Sequence, residues 1–177
     1  MELKKIRPTG NISVIGSSGP ISDNVCKIAR EVGLIVGKSG LNLICGGRDG
    51  VMEAACKGMS EVSDRKGRSI AILPGNDASG ANQYADVIIP TGIGYARNSI
   101  VALSGDIVII IGGASGTLCE AAYAWQYDKI IVAMVKSGGV AVELGGKVLD
   151  YRRNDPVIAC ADMSQLEVLI NNYKNGV

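Results

Sequence analysis

Short apolar runs alternate with longer amphipathic segments from one end of the chain to the other. Continuous aliphatic runs predict strands, and apolar residues spaced three and four positions apart predict helices. The first helix spans 22–40, with Ser22 or Asp23 as its N-cap and Gly40 as its stop signal. The predicted strands are 11–16, 41–45, 69–74, 86–90, 106–111, 129–135 and 156–161. The other predicted helices are 51–62, 94–104, 115–127 and 162–174, and the glycine-rich segment 136–147 is either a loop or a short helix.

This alternation predicts a single α/β domain over residues 1–177. Strands that are apolar throughout are typical of parallel strands buried on both faces by helices. We therefore expect a doubly wound, mostly parallel, six- to seven-stranded sheet of the Rossmann-like type. Ligands of such sheets bind at the carboxyl ends of the strands, so the loops that follow the strands are the first places to search for a site.

The amino-acid composition limits the kinds of partner, catalytic group and metal site that the chain can have. With 47% hydrophobic and 20% charged residues, the chain is typical of a soluble globular protein. Its net charge of +1 gives no electrostatic reason to expect a nucleic acid or a membrane surface as partner. The chain has no histidine, which excludes Ser-His catalysis and His-containing metal sites. We expect no metal site.

The number and spacing of the cysteines indicate whether the protein belongs to a reducing or an oxidising compartment. Their odd number and the absence of CxxC spacing favour neither a zinc site nor a disulfide framework. We expect them to be small core residues of a protein in a reducing compartment. The apolar run near the basic N-terminus is too short for a signal peptide, and no run reaches the ~18 residues of a membrane span. The expected location is the cytoplasm. The five cysteines are Cys26, Cys45, Cys56, Cys119 and Cys160.

Two glycine-rich loops follow the first two strands. The loop "GSSGP" (16–20) lacks the GxGxxG spacing of a dinucleotide site, so its serines either donate to a ligand oxygen or are exposed turn residues. The loop "GGRDG" (46–50) permits close backbone approach, and is either a ligand loop or a tight strand-to-helix turn. The candidate binding residues in these loops are Ser17, Ser18, Gly46, Gly47 and Gly50.

A third loop, "GGASGTLCE", runs from Gly112 to Glu120 after the strand 106–111. Its small residues leave backbone N–H groups uncovered at a helix start, where unpaired donors and the helix dipole favour an anion. Thr117 adds a hydroxyl, and Glu120 lies three residues later on the same helix face, exposed. We interpret the loop as a phosphate cradle; the alternative is a plain turn with Glu120 as a dipole partner. The candidate phosphate contacts are Gly112, Gly113, Gly116 and Thr117.

Arg97 belongs with this third loop. It lies at the beginning of the helix that leads into the strand 106–111, and therefore near the same edge of the sheet. The planar guanidinium group suits a phosphate or a carboxylate, although an isolated arginine at this position would be read as a solvated surface residue.

The motifs "GGRDGVME", "ARN" and "GGASGTLCE", in this order, resemble those of the lonely guy (LOG) family of Rossmann-fold proteins, historically mis-named lysine decarboxylases. The stretch "ARNSIVALSGD" resembles more closely the branch that contains the molybdenum cofactor carrier proteins. The resemblance runs from "VIGSSGP" to about residue 135. It implies that Arg97 and Glu120 are the family's active-site pair and that the glycine motifs bind phosphate. Nothing marks a Schiff-base lysine, so lysine decarboxylation is excluded.

The resemblance implies one of two functions. The first is binding of a small phosphorylated ligand, a nucleoside monophosphate or a molybdopterin-type compound, with no further cofactor. The alternative is hydrolysis of the N-glycosidic bond of a nucleoside 5′-monophosphate, with Arg97 and Glu120 as catalytic residues. Departures from the LOG motifs at three places favour binding without hydrolysis. The PGG motif reads Gly112-Gly113-Ala114, so that its proline and one glycine are lost, Asn98 replaces a lysine, and Cys119 replaces an acidic residue.

The resemblance also implies a homodimer or a higher homo-oligomer. Tyr123 and Trp125 fit an interface or a core equally well. The polar segment 75–84 is either a lid over the ligand or a plain surface loop.

Overall fold

The computed structural model describes residues 10–176, in which seven strands form one sheet with helices on both faces. The basic N-terminal residues considered for a signal peptide lie outside the described residues, whereas the short apolar run that follows them forms the first strand. The strands are β1 (Asn11–Gly16), β2 (Asn42–Cys45), β3 (Ser69–Leu73), β4 (Val87–Pro90), β5 (Ile107–Ile111), β6 (Ile130–Met134) and β7 (Ile158–Cys160). The helices are α1 (Asp23–Ser39), α2 (Val51–Ser60), α3 (Arg97–Ser104), α4 (Ser115–Gln126), α5 (Gly139–Leu144) and α6 (Met163–Asn175).

All strand pairs are parallel, in the order β4-β3-β2-β1-β5-β6-β7. The predicted doubly wound sheet is therefore confirmed. β1 and β5 are neighbours in the middle of the sheet, and the chain continues from them in opposite directions. The connection from β1 leads towards β2 on one side, and the connection from β5 leads towards β6 on the other. The switch point lies between β1 and β5, whose register pairs Gly16 with Ile111. Loops that diverge at such a point leave a crevice at the carboxyl edge of the sheet.

Each face of the sheet has its own core. Helices α1, α2 and α6 cover one face, and α3, α4 and α5 cover the other. β5 is buried along its whole length because helices cover both of its faces. The expectation that all apolar strands are buried is wrong for β4, whose side chains are exposed. β4 is the last strand on its side of the sheet, so it lacks a neighbour beyond it.

The helix boundaries follow the capping residues. The Ser22 side chain accepts the Val25 N–H at 3.3 Å, and Gly40 ends α1 in the left-handed conformation. The helix predicted from residue 94 begins with a 3₁₀ turn, Gly94–Ala96, before α3. The ambiguous segment 136–147 contains the end of another 3₁₀ turn, Val135–Ser137, and then α5. Among residues 10–176, no helix combines the length and the apolarity needed to cross a bilayer.

The cysteine and tryptophan expectations are only partly confirmed. Cys45, Cys56 and Cys160 are buried, but Cys26 and Cys119 are exposed on α1 and α4. Expecting all five in the core was wrong because both helices present a solvent face at these positions. Trp125 is a core residue, since it is buried and its Nε1 donates to Asp150 Oδ1 at 2.8 Å.

Two glycines allow α1 and α2 to approach closely. A Cβ added to Gly33 of α1 would overlap the carbonyl oxygen of Ala55. A Cβ added to Gly58 of α2 would overlap the carbonyl oxygen of Arg30. The contact is reciprocal, so neither backbone can make room without separating the helices and opening the core beneath them.

Gly33→Ala is therefore expected to lower the free energy of unfolding by about 1–3 kcal/mol, although alanine has the higher helix propensity. Urea unfolding followed by circular dichroism measures the change. Gly116→Ala is the matched control, because a Cβ at Gly116 meets nothing closer than Asn98 Nδ2, at 3.9 Å. It should leave stability unchanged or raise it. A Gly33→Ala variant as stable as the wild type would contradict the close packing.

Candidate functional site

A cavity of about 260 Å³ lies at the switch point. The loops after β1, β2 and β5 and the start of α3 form its walls. Ser17 and Ser18 come from the first of these loops, and Arg48 from the second. The convergence of three strand-to-helix loops on one cavity is what a doubly wound sheet provides at its switch point.

A larger groove, of about 900 Å³, lies at the far edge of the sheet between β6, β7 and α6. Its walls include Ile130, Ile158 and Val168, and its charged pair, Arg153 and Asp155, is joined by a salt bridge. Size alone would favour this groove. The cavity at the switch point is the better candidate because it contains a buried and incompletely paired ion pair.

The floor of the cavity is a buried ion pair. Arg97 Nη1 lies 3.1 Å from Glu120 Oε1, and both residues are only 6% exposed. Arg97 opens α3 and Glu120 lies one turn into α4, so the packing of these helices joins two residues that are 23 positions apart. The expectation that Glu120 is exposed was wrong, because the helix face that carries it turns towards α3.

One glycine of the second loop makes room for this arginine. A Cβ added to Gly46 would lie 2.5–2.7 Å from the guanidinium atoms of Arg97. Any side chain at this position would push the guanidinium away from Glu120. Gly46 therefore acts through Arg97, and it does not line the cavity itself.

Arg97 retains an unused donor. Its Nε is a buried side-chain nitrogen without a hydrogen-bond partner within residues 10–176. Leaving a buried charged donor unsatisfied is costly, at roughly 1–3 kcal/mol or more. Native proteins seldom keep such a group without a reason, and a bound acceptor is one such reason.

The first turn of α4 supplies further donors beside the arginine. The N-cap, Ala114, makes no side-chain capping bond. The Leu118 N–H reaches the Ala114 carbonyl at 3.0 Å, but the N–H groups of the preceding turn have no acceptor within the helix. Ser115, Gly116 and Thr117 of this turn line the cavity together with Glu120.

The double glycine before α4 is held by α5. The carbonyls of Gly112 and Gly113 accept the N–H groups of Ala141 and Val140 at 3.0 and 3.3 Å. The Gly112 N–H donates to Ser137 Oγ at 2.6 Å. Both glycines have positive φ, 58° and 102°, which other residues rarely adopt. The loop is therefore rigid, and its carbonyls bond to α5.

The predicted site residues divide into two groups. Those that line the cavity are Ser17, Ser18, Arg97, Gly116, Thr117 and Glu120. Gly46, Gly47, Gly50, Gly112 and Gly113 lie behind the cavity wall instead.

Two of the supporting glycines permit a close contact with a neighbouring strand or loop. A Cβ at Gly47 would lie 2.6 Å from the Ala71 side chain, and one at Gly50 would lie 2.5 Å from the Ser17 carbonyl oxygen. The predicted phosphate contact by these glycines stays a prediction, but their packing role is direct. The segment 75–84 does not line the cavity, and Asn82 anchors it to the Gly47 carbonyl at 3.1 Å.

Sequence reasoning missed part of the wall. Met52, Tyr95, Asn98, Ala114 and Ser115 also line the cavity, and so does Arg48 of the second loop. Its neighbour Asp49 does not line the cavity, and accepts the Gly19 N–H at 2.9 Å. The one available signal was position, since Tyr95 and Asn98 flank Arg97 in the chain.

Burial controls the charge of the carboxylate. Desolvation raises the pKa of Glu120 to about 7, and the charge and hydrogen bond of Arg97 lower the pKa only in part. Glu120 therefore changes charge near neutral pH, where a phosphate monoester also titrates. Among residues 10–176 no group of three or more carboxylates and thiols is arranged to hold a metal ion.

The raised pKa makes stability depend on pH. The unfolded carboxyl has a pKa of 4.5, so the folded state holds this proton more tightly. The resulting stabilisation is complete below pH 4.5 and is lost as pH rises through about 7. We expect Glu120→Gln to remove this decline, which is at most about 3 kcal/mol. Urea unfolding at a series of pH values measures it.

Glu61→Gln is the control for this titration, because Glu61 is a surface residue whose pKa is lowered by its hydrogen bond with Arg30. That variant should keep the wild-type decline. If Glu120→Gln kept the decline as well, the carboxyl group of Glu120 would not be the titrating group.

Comparisons with known proteins agree with the fold and with the motifs. A sequence model described as the SLOG cluster4 family matches residues 9–166. An uncharacterised protein of Archaeoglobus fulgidus is 38% identical over 123 residues, which is 70% of this chain and 78% of that protein.

Two solved structures connect the chain with molybdenum cofactor proteins. The molybdenum cofactor binding protein of Rippkaea orientalis is 35% identical, with a TM-score of 0.68 over 71% of this chain and 76% of that chain. The Moco carrier protein of Chlamydomonas reinhardtii is 28% identical, with a TM-score of 0.76 over 96% of this chain and 99% of that chain. The resemblance to the carrier branch is confirmed, and the chain belongs to the SLOG cluster4 family.

Proposed function

We propose that this protein binds a small phosphorylated ligand in the cavity at the switch point and holds it without cleaving it. The observation that carries the proposal is the unpartnered Nε of buried Arg97 beside the open first turn of α4. A phosphate group accepts hydrogen bonds from both sources and meets the positive end of the helix dipole.

The charge balance of the cavity supports an anionic ligand. Arg97 and Glu120 neutralise each other when both are ionised, and the site becomes positive when Glu120 takes up a proton. Arg48 adds an exposed guanidinium at the cavity. Thr117 is buried in the wall and provides a hydroxyl group. A monoester with one or two negative charges fits these groups.

The ligand class follows from the relatives together with the cavity. The related proteins are described as binding or carrying the molybdenum cofactor. A molybdopterin-type ligand and a nucleoside 5′-monophosphate both present a phosphate group, and the same phosphate site would serve either. In both cases the bound molecule is cargo, and the protein needs no further cofactor to hold it.

The wall of the cavity favours a binding role for Glu120 over hydrolysis of an N-glycosidic bond. Hydrolysis calls for a general base within reach of the attacking water. Among residues 10–176 Glu120 is the single carboxylate that lines this cavity, and it is hydrogen-bonded to Arg97. Its oxygens accept a donor from Arg97 or from a ligand hydroxyl, which is a binding role.

Gly116→Ala tests the phosphate site without disturbing the fold. The added methyl group meets no protein atom closer than 3.9 Å, but it occupies the surface where the phosphate would approach the helix. We expect the dissociation constant for nucleoside 5′-monophosphates, measured by isothermal titration calorimetry, to rise about tenfold or more, which is the effect of losing one charge-assisted hydrogen bond. Thermal stability should not fall. Gly80→Ala is the control, since Gly80 also has open space around it but lies away from the cavity.

The mixtures of protein and nucleoside 5′-monophosphate from these titrations are then analysed by chromatography for free base. Wild-type affinity in Gly116→Ala would contradict the phosphate site. Release of base by the wild type, lost in Glu120→Gln, would replace holding by hydrolysis. A bound molybdopterin-type compound recovered from the purified protein would identify the cargo directly.

The proposal extends to assembly as a homodimer or a higher homo-oligomer. Ile100 on α3 and Leu118 on α4 are exposed apolar residues on two helices that pack side by side next to the cavity. Exposed apolar residues grouped on neighbouring helices are typical of surfaces that pair. A second copy of the chain is the partner that this surface fits.

Leu118→Lys tests the assembly by sedimentation velocity. A charge on this surface should convert the oligomer into a monomer. Val168→Lys introduces the same charge at an exposed position of α6 and should not change the assembly. A wild-type protein that is monomeric at all concentrations, or an unaffected Leu118→Lys variant, would contradict the proposed surface.

We also propose that the protein is located in the cytoplasm. All five cysteines are free, and two of them are exposed. Exposed free thiols are typical of proteins in reducing compartments, which supports the cytoplasm.

A further inference from the structure

The cavity has buried polar groups at its floor and exposed side chains at its rim. Its volume, about 260 Å³, is near the lower end of the ~300–1,000 Å³ that is usual for small-molecule pockets. The buried groups lie at its floor, where Arg97, Thr117 and Glu120 would hold the phosphate end. The remainder of a nucleotide-sized ligand therefore has to lie at the rim.

The rim carries an aromatic side chain with no structural task. Tyr95 lines the cavity, yet it is 79% exposed. The Tyr95 side chain makes no hydrogen bond or ring contact with any of residues 10–176; only its backbone carbonyl is bonded, by the Arg97 N–H. Tyr127 and Tyr151 are also exposed, but of these three tyrosines only Tyr95 lines the cavity.

Tyr95 is tied to the site by its place in the chain. It lies in the 3₁₀ turn Gly94–Ala96, which runs directly into α3, and Arg97 is two residues later. The turn therefore fixes the backbone of Tyr95 close to that of the arginine at the floor. Arg48, on a different loop, adds a second planar group to the cavity wall, and its guanidinium pairs with none of residues 10–176.

We infer that Tyr95 is a stacking platform for a flat heteroaromatic ring attached to the phosphate, and that it makes the protein select ring-bearing phosphate monoesters over plain sugar phosphates. This inference rests on the proposed function, because the phosphate must be held at the floor before the ring can reach the rim. Stacking on an aromatic side chain tolerates any base, since every base has a π-face. Tyr95 thus distinguishes classes of ligand and not individual bases.

The test compares two ligands that differ only by the ring. Isothermal titration calorimetry gives the dissociation constants of adenosine 5′-monophosphate and ribose 5-phosphate. We expect the wild type to prefer the nucleotide by about 5- to 100-fold, the usual effect of one stacked base. Tyr95→Ala should reduce this ratio to near one and leave the affinity for ribose 5-phosphate unchanged.

Two further variants make the result specific. Tyr95→Trp should keep or increase the preference, and the emission of the introduced indole should be quenched by the nucleotide but not by ribose 5-phosphate. Tyr151→Ala removes a tyrosine that is 93% exposed and lies away from the cavity, so it should keep the wild-type ratio. Sedimentation of the Tyr95 variants shows whether assembly is intact.

The outcomes separate this inference from the proposed function. A wild-type ratio near one, or an unchanged ratio in Tyr95→Ala, would overturn the stacking platform while the phosphate site stands. The stacking platform would also be overturned if Tyr95→Ala changed the sedimentation of the protein and weakened the binding of both ligands by the same factor. Failure of ribose 5-phosphate and of adenosine 5′-monophosphate to bind the wild type would overturn the phosphate site itself, and with it this inference.

Discussion

The candidate site depends on one buried ion pair, between Arg97 of α3 and Glu120 of α4. Removing two charges from water costs several kcal/mol for each ion, and their mutual attraction does not reliably repay this cost. The pair therefore gives little reason to expect added stability. Its unsatisfied Nε and its position at the floor of a cavity are what a binding site for an anion requires.

The rest of the fold holds this pair in position. The sheet brings the loops after β1 and β5 to either side of the switch point. Gly46 leaves room for the guanidinium, and Gly112 and Gly113 are hydrogen-bonded to α5. These contacts are made within the protein, so the donors of the cavity are oriented before a ligand arrives. Such preorganisation reduces the entropy lost on binding.

Much of this architecture could be predicted from the sequence, because continuous apolar strands and capped amphipathic helices are local patterns. The start of α4 could also be predicted as part of the site, since Gly116, Thr117 and Glu120 are close together in the chain and line the cavity. The family resemblance implied that Arg97 and Glu120 share one site, but their direct ion pair could not be predicted, because it depends on how α3 packs against α4. The role of Gly46 depends on the same packing, and the exposure of β4 depends on its place at the edge of the sheet.

The central claim is that the free donor of Arg97 meets a phosphate, and the resonance of its Nε–H group reports this contact directly. In a ¹⁵N–¹H spectrum the signal is assigned by its loss in Arg97→Lys. Titration with a nucleoside 5′-monophosphate should shift this signal downfield and slow its exchange with solvent, because the group gains an acceptor. A signal that stays unchanged when the protein is saturated with ligand would contradict the account.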